Sequence, residues 1–399
     1  MKKNIELLIS WLTDTGVINR EGEISCSTNN GYYWRTGSYK YVYNEVTGYS
    51  VSAFVYLYKT FADESYLNLA KDAAAYLLNI QDREDSSGVN GAFFYGYRLP
   101  RKERIDLYYT FDNFIIINGL LDLHSVTGEP ALLQAALICA DWILKYMRYD
   151  GVPGGFYAKY DRGADTKIFR TADFAGDLGV LHGKIAVPFL KLWRIVGDDR
   201  YRKAAVDALD FCLTLQNEDG SFWANKRKVY VFSHAMCYAA EGLMYAYHAL
   251  GEDRYRIAAT AALNFLKGKL QPNGSLLHIY KDKNLLRGAL FSVFPFSATD
   301  ASSQYVRLAL LCADSAKSAE NIKLYDVDKV IKFLVSSQVM ETKDPNLRGA
   351  VWHKISERWG IKRMSPVVST WCSQFCLQAF IEYERSNKDQ ARFFIEHLY

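Results

Sequence analysis

Carboxylate side chains recur where the apolar helical segments of this 399-residue sequence begin. Asp112, Asp173, Asp177 and Asp300 all lie just before or within the first turn of such a segment. Cleavage of a glycosidic bond requires a protonated carboxyl near the leaving oxygen and a second carboxylate that acts as base or nucleophile. These aspartates are therefore candidate catalytic residues from which a hydrolytic pair can be drawn.

A second chemistry is available from the same positions. His182 and His234 open two apolar helices at matching places in the sequence, and Tyr109, Arg170 and Lys184 lie at comparable starts. Proton abstraction next to a carboxylate, as in uronic-acid epimerases and lyases, needs a His, Tyr or Lys base and a cationic clamp. Hydrolysis is the first hypothesis, and epimerisation or elimination at a uronate is the alternative.

The remaining polar and aromatic residues at these helix starts suit a saccharide. The apolar face of a pyranose ring stacks on aromatic rings, and its hydroxyls need directional hydrogen-bond partners. The residues that we predict to bind substrate are Trp34, Arg35, Tyr49, Tyr109, Asn113, Arg170, Lys184, Gln304, Trp371 and Gln374.

Structural roles also explain several of these residues. Asp112 and Asp300 occupy positions typical of helix N-caps, and Asp177 precedes a glycine that favours a turn. A helical histidine is often a buried core residue. Glu241 lies mid-helix between small residues, so it either pairs with a buried cation or takes part in chemistry. The sequence leaves these alternatives open.

The elements that must position these residues are repeated helix pairs. An apolar helix over 182–196 is followed by an amphipathic helix over 199–215, and a helix that is hydrophobic on every side is a buried one. Gly197 ends the first helix and Asp198-Asp199 begins the second, which matches capping preferences. The same pattern predicts pairs over 49–61 and 63–81, 111–126 and 129–147, 234–250 and 252–267, and 299–314 and 326–337.

Glycine and aromatic residues follow each second helix, as in Gly220-Ser221-Phe222-Trp223, and predict loops with short strands such as 93–97 and 156–160. The helix over 367–383 lacks a partner after it, and the helix over 3–13 lacks one before it. Pairing these two closes six hairpins into an all-α (α/α)6 toroid, a single domain over residues 1–399. A linear solenoid would need polar capping repeats, whereas the C-terminal helix is apolar. The N-termini of the inner helices would then converge on one funnel.

The composition of the sequence limits the classes of partner and the cellular locations that we expect. The net charge of +4 is too small to indicate a nucleic acid or membrane-surface partner. The seven cysteines are scattered and odd in number, which is typical of reduced thiols in a cytoplasmic protein. The N-terminus has no signal-peptide cleavage site, and no apolar run is long enough to span a membrane. The sequence leaves the oligomeric state open.

Two stretches carry a family resemblance: 181–223, LHGKIAVPFLKLWRIVGDDRYRKAAVDALDFCLTLQNEDGSFW, and 233–255, SHAMCYAAEGLMYAYHALGEDRY. They resemble the six-hairpin glycosidase-like superfamily, and within it the VpsJ-like proteins associated with polysaccharide biosynthesis. The resemblance covers nearly the whole chain and implies a saccharide ligand. Unsaturated glucuronyl hydrolases of this fold carry essential aspartates at inner-helix starts. Asp112 and Asp173 occupy comparable places, although the surrounding motifs differ.

Two other classes compete with an enzyme acting on saccharides. One is a non-catalytic glycan-binding or assembly protein that kept the ring. The other is an isoprenoid-handling barrel, because Gln216–Trp223 resembles a terpene cyclase repeat; the chain has no DxDD or DDxxD motif, however. His182-Gly183 and Trp371-Cys372 resemble fragments of the zinc sites of lanthipeptide cyclases, but the glycine-rich surroundings are missing. We therefore predict neither a metal nor a cofactor.

Overall fold

Helices dominate the structure and alternate in character along the chain. A computed structural model describes residues 1–83, 88–168, 179–282, 295–315, 324–358, 361–386 and 395–399. The sequence-predicted site residues Arg170, Asp173 and Asp177 lie outside the described residues. The helices are α1 Lys2–Asp14, α2 Asn44–Phe61, α3 Glu64–Ile80, α4 Thr110–Thr127, α5 Pro130–Trp142, α6 Ala186–Val196, α7 Asp199–Leu213, α8 Ser233–Leu250, α9 Asp253–Lys267, α10 Thr299–Ser315, α11 Val327–Ser336 and α12 Thr370–Ser386.

The even-numbered helices form the inner layer and the odd-numbered helices form the outer layer. In α4 every residue from Thr110 to Leu123 is buried, whereas α7 buries only one stripe that faces its neighbours. Consecutive inner helices pack against each other around the ring, and α12 packs against both α2 and α1. The ring is therefore closed, and the predicted (α/α)6 toroid is confirmed.

Short antiparallel sheets lie at the end of the ring where the inner helices begin. The strands are β1 Gly31–Tyr33, β2 Ser38–Tyr39, β3 Tyr41–Tyr43, β4 Gly96–Arg98, β5 Glu103–Ile105, β6 Leu107–Tyr109, β7 Lys159–Asp161, β8 Thr166–Ile168, β9 Tyr230–Phe232, β10 Ile279–Asp282, β11 Ser297–Ala298, β12 Lys354–Arg358, β13 Ile361–Met364 and β14 Val368–Ser369. Each of β3, β6, β9, β11 and β14 leads directly into an inner helix.

Each of these leading strands pairs with a strand of the next repeat. The pairs are β3 with β4, β6 with β7, β9 with β10, and β11 with β12. The last leading strand, β14, pairs with β1 near the start of the chain, where Gly31 lies opposite Ser369. The strand pairing therefore closes the ring independently of the helix contacts. Before α6, the described residues include a bridge between Gly179 and Asn225.

A glycine at the start of each return loop brings that loop against the next outer helix. Gly349 has a positive φ of 93°, and a Cβ at this position would lie 2.2 Å from the carbonyl oxygen of Leu7 in α1. Only glycine combines this backbone conformation with so close an approach. The neighbouring Gln338 donates from its amide to the carbonyl oxygens of Asn4 and Gly349. These contacts join the last repeat to α1.

The third inner helix begins later than predicted. Residues Val180–Ile185 form a 3₁₀ helix, and the α-helix starts at Ala186 rather than at residue 182. Pro188 explains the difference, because an α-helix that began at 182 would place its ring in the helix interior, where it removes a hydrogen bond and clashes with the preceding turn. In the observed helix Pro188 lies in the first turn, where proline is tolerated.

Other element boundaries also differ from the predicted ones. The predicted helix over 129–147 ends as an α-helix at Trp142 and continues as a π-helical turn over Ile143–Met147. The strands predicted over 93–97 and 156–160 are observed at Gly96–Arg98 and Lys159–Asp161. Among the described helices, none is long and apolar enough to cross a membrane.

Candidate active site

The inner helices begin at a common bowl, as predicted for the funnel. Two cavities form it, with volumes of about 410 and 460 Å³, and both are lined by Tyr43 and Glu45. The first, which we call the histidine half, is also lined by Tyr230, Phe232, His234, Tyr238, His278, Ile279, Asp300, His353, Lys354 and Trp371. The second, the carboxylate half, is also lined by Tyr41, Tyr95, Ile105, Leu107, Tyr109, Phe111, Asp112 and Lys159.

Asp300 is the centre of the histidine half. Its Oδ2 lies 3.3 Å from Nε2 of His353 and 3.7 Å from Nδ1 of His234. Asp300 and His234 both lie in the first turns of inner helices, whereas His353 immediately precedes β12. Asp300 is almost completely buried, at 1% exposure. Converging helix starts therefore bring two imidazoles onto one carboxylate.

The charges of this cluster follow from burial and proximity. Burial lowers the pKa of His234 from its ordinary value of 6.5 to about 4, and nearby Asp300 opposes this only in part. Burial also opposes ionisation of Asp300, but His234 and His353 hold the pKa of that carboxyl below its usual range. At neutral pH the cluster therefore contains an ionised Asp300 beside a neutral His234.

Hydrogen bonding selects the tautomer of His234. Its Nδ1 lies 2.5 Å from Oε1 of Gln304 and also faces Asp300, so this nitrogen lies next to two acceptors and carries the proton. Nε2 is then the basic nitrogen of the neutral ring. The indole of Trp371 packs on the imidazole at an interplanar angle of 30°, with ring centroids 5.0 Å apart, and restricts the orientation of the ring.

His278 and Lys354 complete the histidine half. Nζ of Lys354 lies 3.2 Å from Nε2 of His278, so the ammonium group donates to that nitrogen. Burial, and after it the positive charge of Lys354, lower the pKa of His278 to about 3. The edge of the His278 ring packs on Phe232 at a centroid distance of 4.3 Å. This wall therefore presents one cation next to a neutral imidazole.

The carboxylate half brings Glu45 and Asp112 to the hydroxyl of Tyr43. That hydroxyl donates to Oδ1 of Asp112 at 3.0 Å and also interacts with Glu45. Oδ2 of Asp112 is buried and has no hydrogen-bond partner among the described residues. Tyr95 stacks on Tyr43 with centroids 4.2 Å apart. Two buried acids thus lie beneath a wall of tyrosines.

These two acids are electrostatically coupled. Burial raises the pKa of Glu45 despite its bond from Tyr43, and burial together with the charge of Glu45 raises the pKa of Asp112 well above its ordinary value. Two acids in this arrangement do not both ionise readily near neutral pH. At least one therefore retains its proton and is able to donate it.

The floor of the bowl has two layers of polar side chains. The upper layer is made of tyrosine hydroxyls, and the lower layer is made of ion pairs. The hydroxyls of Tyr49 and Tyr238 lie 2.7 Å apart. Below them Glu241 accepts from Nζ of Lys184 at 2.9 Å and from the guanidinium of Arg307. Glu241 therefore pairs with buried cations, which is one of the two roles that the sequence left open. The burial of Lys184 lowers its pKa to about 8.

The chain end fills the axis below this layer. Tyr399 is 1% exposed, packs edge-on against Tyr56, and donates a hydrogen bond from its hydroxyl to the carbonyl oxygen of Gln374. The guanidinium of Arg307 lies over the ring of Phe375 at 4.4 Å and faces Tyr399 from 5.9 Å. The centre of the ring is therefore occupied by side chains.

The sequence-predicted residues fall into three groups. Those that line the bowl are Asp112, His234, Asp300, Tyr109 and Trp371, and Gln304 contacts His234 from behind. Those buried in packing around the bowl are His182, Lys184, Tyr49, Asn113 and Gln374. Trp34 and Arg35 line a neighbouring cleft.

The buried group has structural contacts. Asn113 bonds to the backbone of Phe93 through both its amide oxygen and its amide nitrogen and so anchors a return loop. Gln374 donates to Oγ of Ser50 at 2.8 Å. His182 packs against the edge of Phe156, and burial lowers its pKa to about 4. None of these three lines either cavity of the bowl within the described residues.

Sequence reasoning missed Glu45, His278, His353 and Lys354. Glu45 follows Tyr43 and Asn44 at the first turn of α2, so a helix start at 44 rather than 49 would have included it. Lys354 lies on β12, which pairs with the leading strand β11, and His278 and His353 immediately precede β10 and β12. They are recognisable only by their place four or five residues downstream of Gly274 or Gly349, which becomes meaningful once the strand pairing is known. Within the described residues, no group of His, Cys, Asp or Glu has the arrangement of a metal site.

Comparisons with known proteins agree with the architecture. No protein-family model and no curated protein sequence matches the chain. Among solved structures, the cellobiose 2-epimerase of Bacillus thermoamylovorans is similar with a TM-score of 0.73 at 12% identity, covering 96% of this chain and 100% of that one. A heparin-specific unsaturated glucuronyl hydrolase gives 0.68 at 11% identity, covering 98% of each chain, and a D-mannose isomerase gives 0.70 at 12%, covering 96% and 97%. These structures belong to the six-hairpin glycosidase-like superfamily, and at such identities the likeness establishes the toroid fold.

Proposed function

We propose that this protein is a carbohydrate-active enzyme that moves a proton at a sugar carbon next to a carbonyl or carboxylate group. The observation that carries this proposal is the convergence of His234, His278 and His353 around Asp300 and Lys354 in one aromatic cavity. Sugar epimerisation, isomerisation and β-elimination all begin with such a proton transfer. The structural likeness to a cellobiose epimerase and a mannose isomerase supports the same chemistry.

His234 is the proposed general base. The C–H proton passes to Nε2, and the electron pair of that bond moves into the neighbouring carbonyl to give an enolate oxygen. Asp300 stabilises the imidazolium that forms, because its carboxylate faces Nδ1. A proton delivered from solvent to the other face gives an epimer, return of the proton to the adjacent carbon gives an isomer, and departure of a β-substituent with its bonding electrons gives an unsaturated product.

Lys354 and His353 are proposed to act on the oxygen. The ammonium group of Lys354 supplies a positive charge where the enolate develops, and this stabilisation is larger in a buried site than in water. Asp300 accepts from Nε2–H of His353 and thereby fixes the orientation of that ring in the cavity. Trp371 and Tyr238 supply apolar surface on which a sugar ring stacks. No cofactor is needed for the atoms and electrons of these steps to balance.

Hydrolysis remains a second candidate, and a specific observation favours it. Glu45 and Asp112 meet at Tyr43, and at least one of them keeps its proton near neutral pH. A protonated buried carboxyl beside an ionised one is the arrangement that glycosidic cleavage uses. The likeness to an unsaturated glucuronyl hydrolase supports this alternative.

Deuterium exchange separates the two reactions. The enzyme is incubated in D₂O with a panel of neutral and acidic oligosaccharides, and the products are analysed by NMR and mass spectrometry. Proton-transfer chemistry incorporates deuterium at one ring carbon, whereas hydrolysis releases new reducing ends without carbon-bound deuterium. We expect His234→Gln to abolish the exchange and His248→Gln, at the exposed far end of the same helix, to retain it. Reducing ends without exchange would transfer the proposal to the carboxylate half.

We also propose a biological role, a domain organisation and a location for this protein. The resemblance of 181–223 to the VpsJ-like group supports a role in polysaccharide biosynthesis. The pairing of β14 with β1 supports a single domain over residues 1–399. We also propose a cytoplasmic location, which the scattered unpaired cysteines support.

A further inference from the structure

A second cleft lies beside the histidine half of the bowl. It has a volume of about 540 Å³ and is lined by Trp34, Arg35, Phe296, Lys354, Arg363, Met364, Ser365 and Pro366. Lys354 also lines the histidine half, so the two cavities meet at this side chain. Trp34 and Arg35 lie in the turn between β1 and β2, and most of the other residues lie on or beside the β12–β13 hairpin. The cleft is therefore formed by two neighbouring hairpins at the rim.

The charge of the cleft has one sign. Of its described lining residues Arg35, Lys354 and Arg363 are cationic, and none carries a carboxylate. The guanidinium of Arg35 lies over the indole of Trp34, 5.2 Å from its centroid. The indole is itself held in place, because its Nε1 donates to the carbonyl oxygen of Ser365 at 2.9 Å. The structure thus positions one guanidinium at the mouth of the cleft.

The rest of the lining is apolar. Trp34, Phe296, Met364 and Pro366 give the cleft a largely hydrophobic surface. The edge of Trp34 packs on Trp352 with ring centroids 5.7 Å apart, so this surface rests on a second tryptophan. Apolar surface surrounded by cations matches a sugar ring that carries an anionic group. Guanidinium groups bind carboxylates and sulfates through two parallel hydrogen bonds.

We propose that this cleft binds an anionic sugar residue, adjacent in the same saccharide to the residue that reacts in the histidine half. This inference rests on the proposed function, because it takes the histidine half as the site of the reacting sugar. The anion is a carboxylate or a sulfate, which share this recognition chemistry. Lys354 lies where the two sugar residues join and contacts both.

Calorimetric titration with defined oligosaccharides tests the proposal. The probes are tetragalacturonic acid, the same tetrasaccharide after reduction of its carboxyls to alcohols, and a sulfated neutral tetrasaccharide. We expect the acidic probes to bind about tenfold more tightly than the neutral one, since several ion pairs of modest strength add at the rim. The preference should shrink in high salt, which screens exposed charges. The two acidic probes distinguish carboxylate from sulfate recognition.

Substitutions test which side chains cause the preference for acidic probes. Arg35→Gln and Arg363→Gln together should remove the preference for acidic probes while retaining affinity for the neutral one. Arg202→Gln, on the outer helix α7, is the matched control and should change nothing. Equal affinity of the wild type for acidic and neutral probes, or a preference that survives the double substitution, would overturn the inference.

The deuterium-exchange assay keeps this test separate from that of the proposed function. If exchange occurs and acidic and neutral saccharides have the same KM, the cleft proposal is wrong and the proton-transfer proposal stands. If no saccharide undergoes exchange but the arginine-dependent preference persists, the cleft binds anionic sugars and the reaction assignment is wrong. If the double variant raises KM only for acidic substrates and keeps kcat, both proposals are supported.

Discussion

Each half of the bowl contains an aspartate from the first turn of an inner helix, yet the two aspartates differ in protonation state. In the histidine half, Asp300 is ionised because imidazoles surround it, and His234 is neutral because it is buried. In the carboxylate half, Asp112 is buried beside another acid, and both effects raise its pKa. An aspartate at the first turn of an inner helix is therefore an anion or an acid according to the residues that neighbouring elements bring opposite it.

The opposite proton affinities give opposite dependences of stability on pH. His234 and His278 have pKa values of about 4 and 3 in the folded protein, below the ordinary 6.5, so they favour folding above pH 6.5 and lose that contribution as the pH falls. Asp112 has a raised pKa, so the folded state loses stability as the pH rises through that value. The histidine half thus sets the acid limit and the carboxylate half contributes to the alkaline limit.

After the loss of His234 itself, the largest predicted effect comes from Asp300→Asn. The amide no longer stabilises an imidazolium at His234 and no longer fixes His353 through a charged bond. We expect kcat for deuterium exchange to fall by about 10²-fold to 10⁴-fold. The matched change Asp112→Asn should lower exchange far less. Equal losses in both variants would contradict the division of the bowl into a reacting and a supporting half.

The second prediction concerns how the rate of deuterium exchange depends on pH below neutrality. Because burial lowers the pKa of His234 to about 4, its base form persists well below the usual histidine range. The logarithm of kcat/KM for exchange should therefore remain level down to about pH 5 and decline below it. A decline centred near 6.5 would show that an exposed imidazole, rather than His234, accepts the proton.

The third prediction concerns stability. Asp112→Asn keeps an oxygen to accept from Tyr43 and removes an acid that resists ionisation. Because burial and the charge of Glu45 raise the pKa of Asp112, we expect the free energy of unfolding at pH 8 to rise. Urea unfolding at pH 5 and pH 8 measures it, and the gain should be smaller at pH 5. A loss of stability at pH 8 would mean that Asp112 is ionised in the fold.

The smallest predicted effect is that of Tyr109→Phe. The Tyr109 hydroxyl accepts from Nζ of Lys159 at 3.1 Å at the edge of the carboxylate half. Its removal should raise KM by no more than about threefold, as expected for the loss of one hydrogen bond at the edge of the site, and should leave kcat unchanged. A large fall in kcat would place the reacting sugar in the carboxylate half.

The architecture was predictable because it depends on local and repeated signals. Buried helices such as α4 and capping turns such as Gly197-Asp198 are encoded within short windows, and the unpaired first and last helices indicated ring closure. The site was predictable only where it lies on helix starts, as for His234 and Asp300. His278 and His353 reach the bowl through strand pairs between repeats, and such pairing joins residues distant in sequence. The start of α2 was predicted too late, and Glu45 was missed for that reason.

The segment at Ile395–Tyr399 has a consequence for the length of substrate that the ring accepts. With Leu398 and Tyr399 buried on the axis beneath Phe375, the toroid is blind at its far end. A polymer therefore cannot pass through the centre of such a ring. Under the proposed function, a glycan must therefore enter and leave the bowl by the same mouth.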